Sequence, residues 1–545
     1  MRTRGEALRR IEGAAFDVCI IGGGATGAGC ALDAQLRGLR TVLIEGADFA
    51  SGSSSASTKM AHGGVRYLQE AVRSLDFHQY RLVEHALRER ARMLRNAPYL
   101  ARPIEFMIPC FGRFEQFYYH AGMKMYDWIA GQANLSPSQS LGRDEALRRM
   151  PILKSEGLRA AVSYADGQFD DARYAIAIVN SFAEAGGDVV NYARVVAFEK
   201  DSAGMLAEAV VEDQITKRRF PIRARAFVNA TGPAADFIRQ RASPGAAQRM
   251  QPSKGVHLLF PLDGFPDAGA LLVPKTEDGR VIFAIPWQRR LLVGTTDDAY
   301  QPGDELLVKG AEIDYLLRQL NPYLRRPLDA SRMVSGFAGI RPLMASRDKV
   351  DTKRLVRDDE VEFDPHTGLI SIMGGKWTTY RLMAERTVDR VQELLGSPVT
   401  ACPTRDYPLS GSGGRGWDGP PGLSSQRAAP YLSQKYGTLA AEILQLADVD
   451  SSLSQPILDG LAPIRAQVVY AVRREMAVTI EDVLARRIGL QWFSWRSAVQ
   501  AAPVAARLMQ RELQWADAQT ETFIQQYTDR VNRMLETAGL ERERN

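Results

Sequence analysis

Among the 545 residues of this chain, His257, Arg341 and Lys376 have the types and settings that most readily do chemistry. His257 ends Lys254-Gly255-Val256-His257 on an apolar, strand-like run. Its imidazole, which ordinarily titrates near pH ~6.5, makes it the best candidate proton acceptor of the chain's six histidines, although a histidine there can equally be a satisfied core residue. Arg341 lies in the constrained run Gly339-Ile340-Arg341-Pro342-Leu343. A buried guanidinium needs an anion, either a substrate phosphate or carboxylate, or an internal carboxylate. Lys376 follows Gly374-Gly375, where the strand Leu369 to Met373 gives way to a helix near Trp377. Helix amides and an ammonium there would favour developing negative charge. In Thr58 to Leu68 the pair Gly63-Gly64 lets backbone approach a flat ring, and Arg66 and Tyr67 offer donors, with a surface ion pair as the plain alternative for Arg66.

The element that must position such groups is announced by Gly22-Gly23-Gly24-Ala25-Thr26-Gly27. The run Val18 to Ile21 leads into it, and a second strand, Thr41 to Ile44, ends at Glu45. A strand, a glycine turn and a helix in this register bind a dinucleotide. The pyrophosphate rests on the helix N-terminus and the acid accepts the ribose hydroxyls. An acid at that place disfavours a 2′-phosphate, so FAD or NAD fits better than NADP. The diglycine turn before Trp377 and the strand ending Asn229-Ala230-Thr231-Gly232-Pro233 decide for a resident FAD.

Composition sets the bounds. The chain is 45% hydrophobic and 24% charged, with a net charge of +5 and no dominant basic tract, so nucleic acid is not indicated. Cys19, Cys30, Cys110 and Cys402 are scattered, without metal spacing or a disulfide framework, which points to a reducing compartment and no metal. No apolar run approaches the ~20 residues of a spanning helix. The arginine-rich Met1 to Ile11 reads as a short leader helix rather than a targeting peptide.

A small-residue loop, Ser51 to Ser57, is placed to lay hydroxyls and amides along the cofactor, and a helix is predicted from Leu75 to Leu94. The aromatic stretch Pro103 to Trp128 reads as a buried subdomain core, with a membrane or partner surface as the alternative. Strands recur between Gly187 and Thr295, and Ser410 to Ser424 is rich in glycine and proline. The predicted fold class is α/β, with a Rossmann-like FAD-binding domain interleaved with a β-rich substrate domain, followed by an all-α C-terminal domain. The corresponding division is a catalytic region 1–409, a linker 410–425 and a helical cap 426–545.

Taken together, the motifs resemble the bacterial, aerobic type of FAD-dependent glycerol-3-phosphate dehydrogenase, within the D-amino-acid-oxidase-like flavoprotein superfamily. The likeness runs from Phe16 to beyond Leu490. It rests on IIGGGATGAG, SSSASTKMAHGGVRYL, YADGQFDDAR (Tyr164 to Arg173), NATGP, KGVH, IPW with VGTTD (Ile285 to Asp297), GIRPL, GGKWTTYR and EMAVTIEDVLARR (Glu475 to Arg487). The pattern departs at Ala234-Ala235, where the family usually carries a tryptophan.

The resemblance implies a set of FAD contacts. Glu45 and Val195 would meet the adenosine, and Gly22, Gly24, Ala25, Thr26 and Gly27 the pyrophosphate. Ser53, Ser54, Ser55, Lys59, His62, Gly63 and Gly64 would line the ring system from one side. Gly339, Gly375, Lys376, Trp377 and Thr378 would line it from the other, and Ala230, Thr231 and Gly232 would complete the cradle. It further implies oxidation of sn-glycerol 3-phosphate to dihydroxyacetone phosphate. The phosphate would be held among Arg66, Arg341, Arg357 and Lys376. Tyr67 would lie near the reacting hydroxyl, His257 would accept its proton and Arg341 would polarise its oxygen. Without the insertion of the oxygen-using members, electrons are expected to pass to a membrane quinone. The protein would then be cytoplasmic, peripheral on the inner face of the cytoplasmic membrane, with a homodimer possible. The competing readings are an oxygen-using oxidase of the same substrate, a related 2-hydroxy-acid or amino-acid oxidoreductase, and a flavin-binding protein without catalysis.

Overall fold

The computed structural model describes residues 1–64, 77–267, 269–345, 359–413 and 428–542. Two sheets and a helical C-terminal part make up the molecule, as the α/β expectation required. In the first sheet, strand Ala15–Ile21 lies between two parallel neighbours, Arg219–Asn229 and Thr41–Ile44. Leu369–Gly374 and Asp188–Val190 extend it on either side. Val18 to Ile21 and Val42 to Ile44 are buried throughout, the pattern of parallel strands covered on both faces. Helix Ala25–Leu36 covers one face and packs on helices Asp171–Glu184 and Tyr380–Leu394. The carboxyl ends of three neighbouring strands therefore deliver Gly22, Glu45 and Ala230 to one crevice, the place where open α/β sheets bind ligands.

The second sheet is almost wholly antiparallel. It runs from Ser253–Pro261 through Arg290–Gly294, Ile282–Trp287, Gly269–Val273 and Ala101–Cys110 to Ala160–Phe169. Ser335–Arg341 pairs with Ser253–Pro261 in the register Gly255↔Gly339 and His257↔Phe337, which fixes the neighbours of both KGVH and GIRPL. Short strand Met60–Ala61 crosses to Ala160–Phe169, bringing the Ser51 to Gly64 loop between the two sheets.

The C-terminal helices run from Ala429–Tyr436 to Asp517–Thr537. They share one apolar core with the second sheet, where Val256, Leu258 and Phe260 pack in the same cluster as Leu432, Val468 and Trp495. Before them the chain is pinned at Ser410, whose N–H donates to Ser181 Oγ and whose hydroxyl donates to Glu184. Met1 to Ile11 holds a helix, Arg4–Ile11, and the helix predicted from Leu75 to Leu94 is seen over Phe77–Asn96, its first two predicted residues lying outside the described residues.

One sequence expectation is corrected. The Pro103 to Trp128 stretch is not a single buried core. Strand Ala101–Cys110 buries Phe106 and Met107, whereas helix Arg113–Ala130 turns only Met123, Tyr126, Ile129 and Ala130 inward. At 3.6 residues per turn Tyr119 packs partly against the same core, whereas Phe114, Phe117 and Trp128 fall on the outer face, 78%, 73% and 73% exposed. Among the described residues no helix is long and apolar enough to cross a membrane.

Candidate active site

A cavity of about 930 Å³ runs along the crevice of the first sheet to the face of the second. Gly22, Gly24, Ala25, Thr26 and Glu45 line it, joined by Val195, Ala230, Thr231 and Gly232. Gly24 caps helix Ala25–Leu36 without a side chain, so the positive end of the dipole is left open to an anion. Ser54 Oγ accepts from Ala25 N–H at 2.9 Å, which ties the Ser51 to Ser57 loop to this turn. Glu45 is held by two backbone donors, Gly23 N–H at 2.6 Å and Ala47 N–H at 2.8 Å. Each carboxylate oxygen keeps a lone pair for a ribose hydroxyl. Burial, opposed by those donors, leaves its pKa above the usual carboxylate value.

Further along the cavity are Ser53, Ser54, His62, Gly339, Gly375, Lys376, Trp377 and Thr378. Gly374 and Gly375 have φ of 72° and 77°, so two successive left-handed residues reverse the chain from strand into helix. A side chain on Gly375 would also strike Met383 Sδ at 2.4 Å. Trp377 Nε1–H donates to Ser54 O at 3.0 Å and Ser53 Oγ donates to Ile340 O at 2.6 Å, binding the loop to both sheets. A flat slot bounded by backbone and small side chains results, and the residues present fit an FAD.

His257 and Arg341 line the same cavity. Glycines make room for both. The His257 ring lies where a side chain on Gly294 would be, at 2.3 Å, and the Arg341 guanidinium occupies the space over Gly255, at 2.4 Å. Arg341 donates to Asp297 Oδ1 at 3.1 Å, Thr295 Oγ1 at 3.0 Å and Thr296 O at 2.8 Å. The internal carboxylate foreseen as its alternative partner is thus present, while the guanidinium also borders the cavity. His257 stacks on Phe337 with ring centroids 4.9 Å apart, and its Nε2 is 2.9 Å from Thr58 Oγ1. Burial, then the charges of Arg341 and Lys59, hold its pKa well below the ordinary histidine value. The ring is therefore neutral near pH 7 and able to accept a proton.

Five of the foreseen cofactor contacts do not line the cavity. Gly27 packs inside the turn, where a Cβ would come 1.8 Å from Gly22 O. Ser55 is buried, and its carbonyl accepts from Lys59 Nζ at 2.6 Å. Lys59 is fully buried and forms an ion pair with Asp171 at 2.5 Å, so it supports the loop from behind. Gly63 N–H donates to Tyr126 OH at 2.8 Å, and the adjoining Gly64 is buried. Arg66, Tyr67 and Arg357 lie outside the described residues. Conversely, Thr58, inside the Ser53 to Gly64 stretch, and Arg194, beside Val195, line the cavity without having been singled out, and Phe237 and Gln248 line it unforeseen. Only Thr58 lay inside a recognised motif. The others come from separate segments whose approach no local spacing reveals.

Fold and site together define a flavin-dependent oxidoreductase. Residues 17–384 match the family described as FAD dependent oxidoreductase, and residues 367–520 match the C-terminal domain of alpha-glycerophosphate oxidase. The chain is 40% identical over 536 residues to a probable mitochondrial glycerol-3-phosphate dehydrogenase of Caenorhabditis elegans, spanning 95% of this chain and 73% of that protein. It is 38% identical over 521 residues to the mitochondrial glycerol-3-phosphate dehydrogenase of Homo sapiens, spanning 92% and 71%. A crystal structure of glycerol-3-phosphate dehydrogenase from Bacillus halodurans complexed with FAD superimposes with a TM-score of 0.78 at 30% identity, covering 97% of both chains. The chain belongs to the FAD-dependent glycerol-3-phosphate dehydrogenases.

Proposed function

We propose that this chain oxidises sn-glycerol 3-phosphate at C2 to dihydroxyacetone phosphate and passes the electrons to a membrane quinone. The observation that carries the reading is the convergence of a neutral histidine, an arginine and a lysine on the FAD-shaped slot. Arg341 and Lys376 supply the positive field for a phosphate ester and for the oxygen that becomes a carbonyl. His257 supplies the acceptor for the hydroxyl proton. FAD held in this slot would supply the hydride acceptor. Glu45, the turn Gly22 to Gly27 and the loop Ser51 to Ser57 orient the cofactor, and the strands behind them exclude water.

The outer face of helix Arg113–Ala130 is offered as the membrane contact, because Phe114, Phe117 and Trp128 project from it beside Arg113 and Lys124. On this reading the protein rests on the inner face of the cytoplasmic membrane, where the quinone is reached without a spanning helix. Anaerobic addition of glycerol 3-phosphate to the holoenzyme tests the chemistry. Bleaching of the flavin, followed by reoxidation with quinone but slowly with oxygen, is the expected result. No bleaching overturns the substrate assignment, and rapid reoxidation by oxygen alone turns the reading to an oxidase. Sizing the same preparation distinguishes a monomer from a homodimer.

A further inference from the structure

Thr58 and His257 both border the cavity, and among the described residues the Thr58 hydroxyl is the hydrogen-bond partner of the His257 ring. The Nδ1 atom of the ring is buried without a hydrogen-bond partner among the described residues. Nε2 is 2.9 Å from Thr58 Oγ1. A proton bound for this ring therefore arrives at Nε2, where a hydroxyl already sits.

The neighbours of Thr58 hold that hydroxyl in place. On one side Asp171 accepts from Ser57 N–H at 2.9 Å and from Ser57 Oγ at 2.7 Å. On the other, Lys59 Nζ bonds to Asp171 at 2.5 Å and to Ser55 O at 2.6 Å, and Lys59 N–H donates to Ser57 Oγ at 3.1 Å. Lys59 takes a left-handed backbone with φ of 60°, uncommon for a residue other than glycine and maintained only where surroundings over-determine it. One buried carboxylate thus fixes the residues on both sides of Thr58. Thr58 itself borders the cavity.

We propose that Thr58 is a catalytic residue of this enzyme, a hydroxyl relay that takes the proton from the substrate's C2 hydroxyl as it gives its own to His257 Nε2. The inference rests on the reading of the cavity given above. As hydride leaves C2 for the bound flavin, the substrate O–H bond breaks and its electron pair becomes the second bond of the carbonyl. The released proton joins Thr58 Oγ1, the Thr58 O–H proton joins the Nε2 lone pair, and Thr58 ends as a neutral hydroxyl beside an imidazolium. The groups facing that imidazolium are the cations Arg341 and Lys59, the Phe337 ring, the bare Gly294 backbone and Thr58. Burial and the two cations disfavour the imidazolium, so once product leaves the proton passes back through the same hydroxyl to water entering the cavity.

The relay requires His257 to carry its resting proton on Nδ1. Nitrogen NMR of the ¹⁵N-histidine holoenzyme, with the His257 signal assigned by its loss in His257→Asn, is expected to show that tautomer. A resting Nε2–H would overturn the proposal without any turnover measurement. Thr58→Val removes the hydroxyl at nearly constant volume and Thr58→Ser keeps it. With matched FAD content, the valine variant is expected to slow flavin reduction by glycerol 3-phosphate about a hundredfold, and the serine variant to restore it within a few-fold. In mixed light and heavy water the wild-type rate should follow a curved proton inventory, two protons moving together, and the valine variant should lose that curvature. A valine variant with unchanged rate and inventory sinks the relay. Failure of the wild type to bleach would sink the substrate reading instead, so the two failures are distinguishable.

Discussion

Arg173 and Glu475 are joined by two parallel hydrogen bonds, each 2.8 Å, with both side chains almost wholly buried between helix Asp171–Glu184 and the C-terminal helices. The guanidinium also lies 4.2 Å over the Tyr436 ring. Two residues before Arg173 stands Asp171, the carboxylate that holds the Thr58 loop. The helical part is thus anchored to the very helix that positions the site.

Removing one member of that pair strands a buried charge. Glu475→Gln is expected to destabilise the holoenzyme by roughly 3–5 kcal/mol in chemical denaturation, whereas an apolar replacement of both members recovers much of the loss. A Glu475→Gln variant of wild-type stability would show that the pair contributes little.

Lys59 and Asp171 are both fully buried, so the same reasoning applies with a catalytic consequence. Lys59→Met should cost about 3 kcal/mol of stability. It also removes one of the charges that depress the His257 pKa, and the pH profile of flavin reduction should move upward. An unmoved profile in a folded, FAD-loaded variant would separate Lys59 from the histidine.

The pH dependence of stability has a definite sign. In the native protein His257 binds its proton only well below the ordinary histidine range, because burial and two cations oppose it. The unfolded chain binds that proton near pH ~6.5, so this contribution to stability is fully present above about 6.5 and declines as pH falls below it. His257→Gln is expected to flatten the acid side of the denaturation-midpoint profile. A profile identical to wild type would contradict the assignment of a neutral native ring.

Gly27→Ala tests the cofactor cradle at its tightest point. The added Cβ would come 1.8 Å from Gly22 O, so the turn must open. Overpacking of this kind costs about 1–3 kcal/mol, and FAD affinity should fall by at least about tenfold, read as the flavin-to-protein absorbance ratio after gel filtration. Full FAD occupancy after dilution would show that the turn yields.

Membrane contact is tested on the exposed aromatics. Replacing Phe114, Phe117 and Trp128 together by serine removes three rings from the outer face of their helix. Sedimentation with vesicles of anionic phospholipid should weaken at least about tenfold, while flavin reduction by glycerol 3-phosphate stays unchanged. Unaltered sedimentation would move the contact elsewhere.

The residues from Gly22 to Glu45 show how much is local. Strand, turn, helix and acid lie within one short stretch, so spacing alone predicts a dinucleotide, and the structure places four of those five turn contacts and Glu45 on one cavity. The diglycine before Lys376 was legible for the same reason, since a left-handed pair ends a strand wherever it occurs. Lys59 was not. Its place in SSSASTKMAHGGVRYL implied a cofactor contact by resemblance, yet only its fully buried pairing with Asp171, over a hundred positions away, makes it a support.

Sequence by itself therefore determined the class of cofactor, the α/β plan and the set of polar residues available for chemistry, because each depends on short-range spacing and on backbone freedom. Tertiary structure decided which of them meet. The register of Ser253–Pro261 with its two neighbours places His257 between Gly294 and Phe337, and the strand crossing at Met60–Ala61 brings Thr58 within 2.9 Å of its ring. Which aromatics face water is settled likewise by the side a helix presents once packed. Contacts between distant segments, and the burial that shifts a pKa, exist only after the chain has folded.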